Sequence, residues 1–274
     1  MRAARLLVIL TVAAALSSSY AFAQFGFGRG EFANLPARYM PKALPDRNFV
    51  VCRLQYTSVR REPSGGGWRT DYPYGEINLL IRLSELTKTP VSFNPGSRRP
   101  NQYVVRLTDD QLFDCPYTVA SDVGTIGLTQ PEADRLRLYL LKGGFLWVDD
   151  FWGEAEWEGM AEEIRKVFPD RQWVDLPLDH PLYHCVFDIK SKGQVPGIRV
   201  WNSSHVTWER PDAHETHHRV IFDDKGRIMI FATHNTDNGD GWEREGEDHY
   251  YFENFSEKIS YPLGINVIFY IMTH

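Results

Sequence analysis

The stretch 135-RLRLYLLKGGFLWVDDFWG-153 decides how the chain reads. It opens as a helix, with Leu136, Leu138, Leu140 and Leu141 set among Arg135, Arg137 and Lys142 and no breaker between them. Gly143 and Gly144 stop that helix, because glycine accepts the left-handed backbone on which helices end. Residues 145–148 form a short apolar run, the mark of a strand buried on both faces. Two acids, Asp149 and Asp150, stand at its tip, followed by the aromatic–glycine loop Phe151-Trp152-Gly153. Helix, glycine turn, buried strand and polar tip make half of a parallel α/β unit. Ligands of open α/β sheets bind beyond the carboxyl ends of the strands, so Asp149 and Asp150 are the first candidates for function.

Outward from this stretch, strands and helices alternate. Strands are expected at residues 49–56, 90–93, 103–107, 115–120, 145–148 and 173–176, and helices at 75–88, 129–142, 156–168 and 264–272. Residues 219–223 and 227–234 flank Asp224-Lys225-Gly226, a hairpin signal. Residues 201–207 read as irregular or extended, and 235–247 as an acidic, glycine-rich loop. The alternation predicts an α/β fold, a three-layer sandwich around a mostly parallel sheet, with an antiparallel extension at the hairpin.

The 274 residues are 43% hydrophobic and 14% aromatic, enough for a substantial core. A formal net charge of -6 excludes the basic surface that nucleic-acid binding needs. Arg2 and Arg5, the apolar residues 6–16 and Ala21-Phe22-Ala23 form an export-signal pattern, with cleavage expected before Gln24. The expected organisation is a signal peptide over 1–23, a surface leader over 24–47 and one domain over 48–274, secreted or periplasmic. No other segment is long and apolar enough to span a bilayer. Cys52, Cys115 and Cys185 match no zinc or redox spacing and read as buried free thiols; a single disulfide is the alternative, with no pair preferred.

With GWRTDYP, YLLKGGFLWVDDFW, LPLDHPLYH and the final GINVIFY in order, the chain resembles the bacterial family of domain of unknown function 4159 from about Phe49 to its end. That family looks like a relative of the class I glutamine amidotransferase-like fold, a flavodoxin-like sandwich. The resemblance implies a fold and no established reaction. In the amidotransferases a cysteine sits on the turn after a central strand. Here Asp149 and Asp150 hold that place, and Cys115 precedes its strand, which argues against thiolate chemistry.

The remaining candidates are also strand-end residues. Trp68, Arg69 and Asp71 lie between the first strand and its helix, where they would grip a polar ligand or plug the sheet edge. His180, held extended by Pro181, and His234 follow other strands. Asp149 and Asp150 point to opposite faces if the strand persists, so one is expected to meet a ligand while the other caps a helix. The string His214-Glu215-Thr216-His217-His218 fits a zinc-protease order but runs into a strand instead of a helix. Residues 236–247 approach a calcium loop, yet Thr236 replaces its first aspartate and no helix pair flanks it. No metal ligand, cofactor or catalytic residue is therefore assigned. The expectation is a non-catalytic module taking a small-molecule or protein ligand at the sheet edge. The alternative is a hydrolase, metal-assisted or not, using Asp149 or Asp150 with His180 or His234.

Overall fold

The two glycines close their helix as a Schellman turn. In the computed structural model, which describes residues 36–63 and 65–274, α2 (Gln130–Leu141) ends with Gly144 N donating to Tyr139 O at 3.0 Å and Gly143 N to Leu140 O at 3.2 Å. Gly143 has φ +107°, and a Cβ on Gly144 would lie 2.4 Å from the Tyr139 ring. Both positions therefore require glycine. At the other end of α2, the Glu132 carboxylate accepts from Thr129 N at 2.9 Å and Oγ1 at 2.7 Å. This cap is exposed, so Glu132→Ala is expected to cost about 1 kcal/mol in urea unfolding; an unchanged midpoint would show that the cap carries no stability.

The chain leaves this turn into β6 (Phe145–Asp149), whose residues are all buried. Before it come β1 (Val51–Gln55), the short β2 (Thr57–Ser58), α1 (Tyr74–Leu86), β3 (Gln102–Arg106), β4 (Tyr117–Ser121) and the short β5 (Ile126–Gly127). After it come α3 (Gly153–Val167), β7 (Val174–Asp175), α4 (Ile198–Ser204), β8 (His217–Phe222), β9 (Ile228–His234) and α5 (Asn238–Glu243). The chain closes with α6 (His249–Tyr251), a π-helical stretch (Phe252–Ser260) and α7 (Tyr261–Thr273).

Seven strands pair in the order β3-β1-β4-β6-β9-β8-β7. The first five are parallel; β8 is antiparallel to β9, and β7 to β8. A separate antiparallel pair joins β2 and β5. One face packs Leu136 and Leu140 of α2 and Met160 and Ile164 of α3 against Leu146, Val148 and Ile230. The other packs Leu79 and Leu83 of α1 and Ile265 and Ile268 of α7 against Val119, Trp147 and Phe231. The sheet is thus covered on both sides, as a parallel sheet must be. Among the described residues no helix is long and apolar enough to cross a membrane. The expected signal segment 1–23 lies outside the described residues, as does the leader up to residue 35. Further along the leader, Tyr39 bridges to Val104 and Met40 is buried.

Four local expectations are corrected. Residues 90–93 make only isolated bridges, Val91 to Phe49 and Phe93 to Pro100, because the prolines at positions 90 and 100 have no N–H to extend a ladder. Residues 201–207 begin in the helix α4, whose first amide, Ile198 N, donates to Asp240 Oδ2 at 2.7 Å and whose Trp201 packs on Phe255. The acidic loop contains the helix α5, capped by Asp237 Oδ1 accepting from Asp240 N at 2.7 Å. Cys52 and Cys115 are not free thiols but a disulfide: β1 and β4 are neighbours, which brings their Cα atoms to 6.2 Å. Cys185 is free and exposed.

Candidate acidic site at the carboxyl edge

Three of the parallel strands end in a residue with left-handed backbone. Asp122 after β4, Asp150 after β6 and Asn235 after β9 have φ of 60°, 55° and 62°. Asp and Asn tolerate this conformation better than other side chains, which explains the polar tips. Asp71, at the end of the long loop after β1, has φ 63°. The sheet order reverses between β1 and β4, and these loops crowd around that switch point.

The result is a cluster of carboxylates. One oxygen each from Asp71, Asp150 and Asp237 lie within 4.8 Å of one another, and Asp71, Asp240 and Glu243 make a second such group. Asp71 and Asp237 are 6% and 4% exposed; Asp150 is partly exposed as a residue. Each member of the first group takes one donor: Ser121 Oγ to Asp71 Oδ2 at 3.0 Å, Trp152 Nε1 to Asp150 Oδ1 at 2.9 Å, Asp240 N to Asp237 Oδ1 at 2.7 Å.

Electrostatics follow from this crowding. Burial first, then Asp240 and Glu243, hold the Asp71 carboxyl well above its ordinary range, against the pull of Arg53. Burial and then Asp71, Glu209 and Asp122 do the same to Asp150. Asp237 is raised by burial and then by Asp150, Asp240, Asp71 and Glu209. Burial also pushes Glu243 up to about 7 and Asp122 up to about 6. Arg244 pairs with Asp240 at 3.1 Å and with Glu243 at 2.7 Å, whereas Asp71, Asp150 and Asp237 have no ion pair among the described residues and so must keep protons or share a cation.

Asp149 has a different task. It accepts from Thr233 Oγ1, from Asn238 Nδ2 at 2.9 Å and from Gly239 N at 3.0 Å, and so fixes the start of α5 beside the cluster. Burial raises it to about 6 while these donors pull it down. Asp149 thus anchors α5 and not the helix that follows it, while Asp150 stands in the cluster. Asn238 Oδ1, buried next to Asp237, has no hydrogen-bond partner among the described residues. Gly239 must be glycine: a Cβ there would stand 1.9 Å from Asp71 Oδ2. Gly239→Ala is expected to push that carboxylate aside and lower the urea-unfolding midpoint; an unchanged midpoint would contradict this close packing.

The other candidates disperse. The Trp68–Arg69 turn wraps Asp122, which accepts from Gly67 N and, at 3.4 Å, from Thr70 Oγ1. Trp68 itself packs on the core, with the Arg69 guanidinium 4.6 Å from its ring centre. His234 Nε2 bonds Gly153 O at 3.0 Å, its ring stacks on Phe151, and burial lowers it to about 4. Among the described residues neither Asp149 nor Asp150 hydrogen-bonds to it. His180 lies at the opposite end of the sheet, beside Phe222 and Tyr270, because the chain turns back after β7. The residues 214–218 enter β8 without forming a helix, so the zinc-protease geometry is absent there.

Asp237, Glu209 and Glu243 were not singled out by the sequence. The signal for Asp237 and Glu243 is the Asp-Asn-Gly-Asp-Gly run just past β9, which approaches a calcium loop; Glu209, before β8, carries no local signal. No curated protein matches the chain. Residues 50–272 match a family model, and the chain belongs to the family described as domain of unknown function DUF4159.

Proposed function

We propose that this chain is an exported, flavodoxin-like binding domain whose carboxyl-edge site holds a hard divalent cation such as Ca2+. The observation that carries this reading is the convergence of Asp71, Asp150 and Asp237, with oxygens within 4.8 Å, from loops after three different strands. An all-carboxylate set suits hard cations. The cation would neutralise the cluster, and its remaining coordination positions would take oxygens of a ligand.

The parallel strands run in the order β3-β1-β4-β6-β9, which is the 2-1-3-4-5 winding of flavodoxin-like sheets. Export is supported by the N-terminal signal pattern and by the Cys52–Cys115 disulfide, a bond of oxidising compartments. A binding role is favoured over hydrolysis because Cys115 is bonded to Cys52 and the two histidines are engaged elsewhere.

The test is a thermal melt at pH 8 in chelator, repeated with excess Ca2+, Mg2+, Mn2+ or K+. Ca2+ at a hundred times its Kd is expected to raise the midpoint by roughly 5–10 °C and K+ to leave it unchanged. Identical midpoints in all five conditions would refute the cation site.

A further inference from the structure

His218, the last residue of the zinc-like string, has no part in the acidic site. It is 2% exposed, stands on β8 and faces the layer that contains α7. Its Nδ1 meets Tyr183 Oη at 2.8 Å, and its Nε2 has no hydrogen-bond partner among the described residues. Tyr183 is fully buried, and among the described residues this imidazole is the only hydrogen-bond partner of its hydroxyl. The tyrosine proton therefore goes to Nδ1, since the alternative leaves a buried O–H unpaired. That fixes the tautomer: Nε2 carries the hydrogen and is an unused donor. Burial, then the nearby Lys192, lowers the imidazole to about 3, so it stays neutral.

His218 is among the residues that line a pocket of about 410 Å3. Small-molecule sites span roughly 300–1,000 Å3 and combine apolar walls with a few placed polar groups. Here Phe187 and Ile189 make one wall and Ile259, Pro262 and Leu263 another. Two cations stand at the pocket, Lys190 and Lys258. Lys190 is paired with Asp188 at 2.5 Å, while Lys258 contacts only the neutral Asn254 amide among the described residues, at 2.9 Å. The balance at the mouth is therefore positive. Lys258 and Ile259 belong to the π-helical stretch, a backbone form frequent at functional sites.

We propose that this pocket is a second binding site, for a small amphipathic carboxylate whose apolar tail lies between Ile189 and Leu263 and whose carboxylate accepts from His218 Nε2 near Lys258. An acceptor is required because Nε2 is a donor. An anion is favoured over a neutral acceptor by the surplus lysine. The apolar walls require a hydrocarbon or aryl body.

The experiment is calorimetric titration of the full domain with decanoate, below its aggregation concentration, and with decyltrimethylammonium. Decanoate is expected to bind saturably, one per chain, and the ammonium amphiphile at least tenfold more weakly. The double variant Tyr183→Phe/His218→Phe removes both partners of the buried hydrogen bond, so no orphan group remains. It is expected to weaken decanoate tenfold or more. Ser191→Trp, at an exposed position on the pocket's edge, is expected to block binding without touching the core, and it decides the matter if the double variant does not fold. Absent or non-saturable decanoate binding, equal binding of the ammonium amphiphile, or binding that Ser191→Trp leaves intact would each overturn the proposal.

Discussion

In chelator, the domain is expected to lose stability as pH rises above about 7, and saturating Ca2+ is expected to restore most of the loss; below that range His218 and His234, lowered to about 3 and about 4, give the opposite slope. The direction follows from proton linkage. Asp122 is raised from 3.8 to about 6 and Glu243 from 4.5 to about 7, and Asp71, Asp150 and Asp237 are raised well above the ordinary range. Between the ordinary and the raised values the folded chain holds protons that the unfolded chain has released. The stability these groups give is complete below their ordinary values and is lost as pH climbs through the raised ones. One carboxylate displaced as far as Asp122 accounts for roughly 3 kcal/mol. Several such groups together rival the whole stability of a domain, about 5–15 kcal/mol, so a neutral-pH fold needs the cluster's charge cancelled. Urea midpoints across this pH range, with and without Ca2+, measure the effect. A metal-free protein whose stability does not fall between about pH 7 and pH 9 would contradict the crowded-carboxylate picture.

The second large effect is expected from the disulfide. Cys52–Cys115 closes a loop of 63 residues between β1 and the entry to β4. In the chain-entropy account, a loop of that length restricts the unfolded state by about 4 kcal/mol. The double variant Cys52→Ala/Cys115→Ala is expected to lose about that much in urea unfolding, and more if the paired sulfurs leave a cavity in the core. Thiol titration of the unfolded, unreduced protein is expected to find one free thiol, Cys185. Finding three would show that the bond does not form.

How much of this was legible before the fold was known depends on how local each signal is. The turn at Gly143-Gly144 and the strand after it could be read directly, because a helix stop and an apolar run are written within a dozen residues. Asp150 was legible for the same reason, as the polar tip of that strand. Which of Asp149 and Asp150 faces the cluster was not legible. It depends on the left-handed backbone at Asp150, which breaks the simple alternation. Asp237 and Asp240 were hidden by distance along the chain: only the pairing of β6 with β9 brings residues near 240 to residues near 150. His180 misled for the opposite reason. It follows a strand in sequence, but the chain reverses after β7 and carries it to the amino end of the sheet. The cysteine pair likewise required knowing that β1 and β4 are neighbours.

The most direct test of the cation site is calorimetric titration of Ca2+ into the metal-free domain, compared with Asp150→Asn. The asparagine keeps the size of the side chain and an oxygen for Trp152 Nε1, and it removes one charge from the cluster. The wild-type chain is predicted to bind Ca2+ saturably in the cluster, and Asp150→Asn to bind at least tenfold more weakly. The same variant is predicted to be more stable than wild type in chelator at pH 8, because it relieves repulsion. A residue that only held the fold together would show the reverse sign. Failure of the wild-type chain to bind Ca2+, or a variant with unchanged affinity and lower stability, would contradict the account.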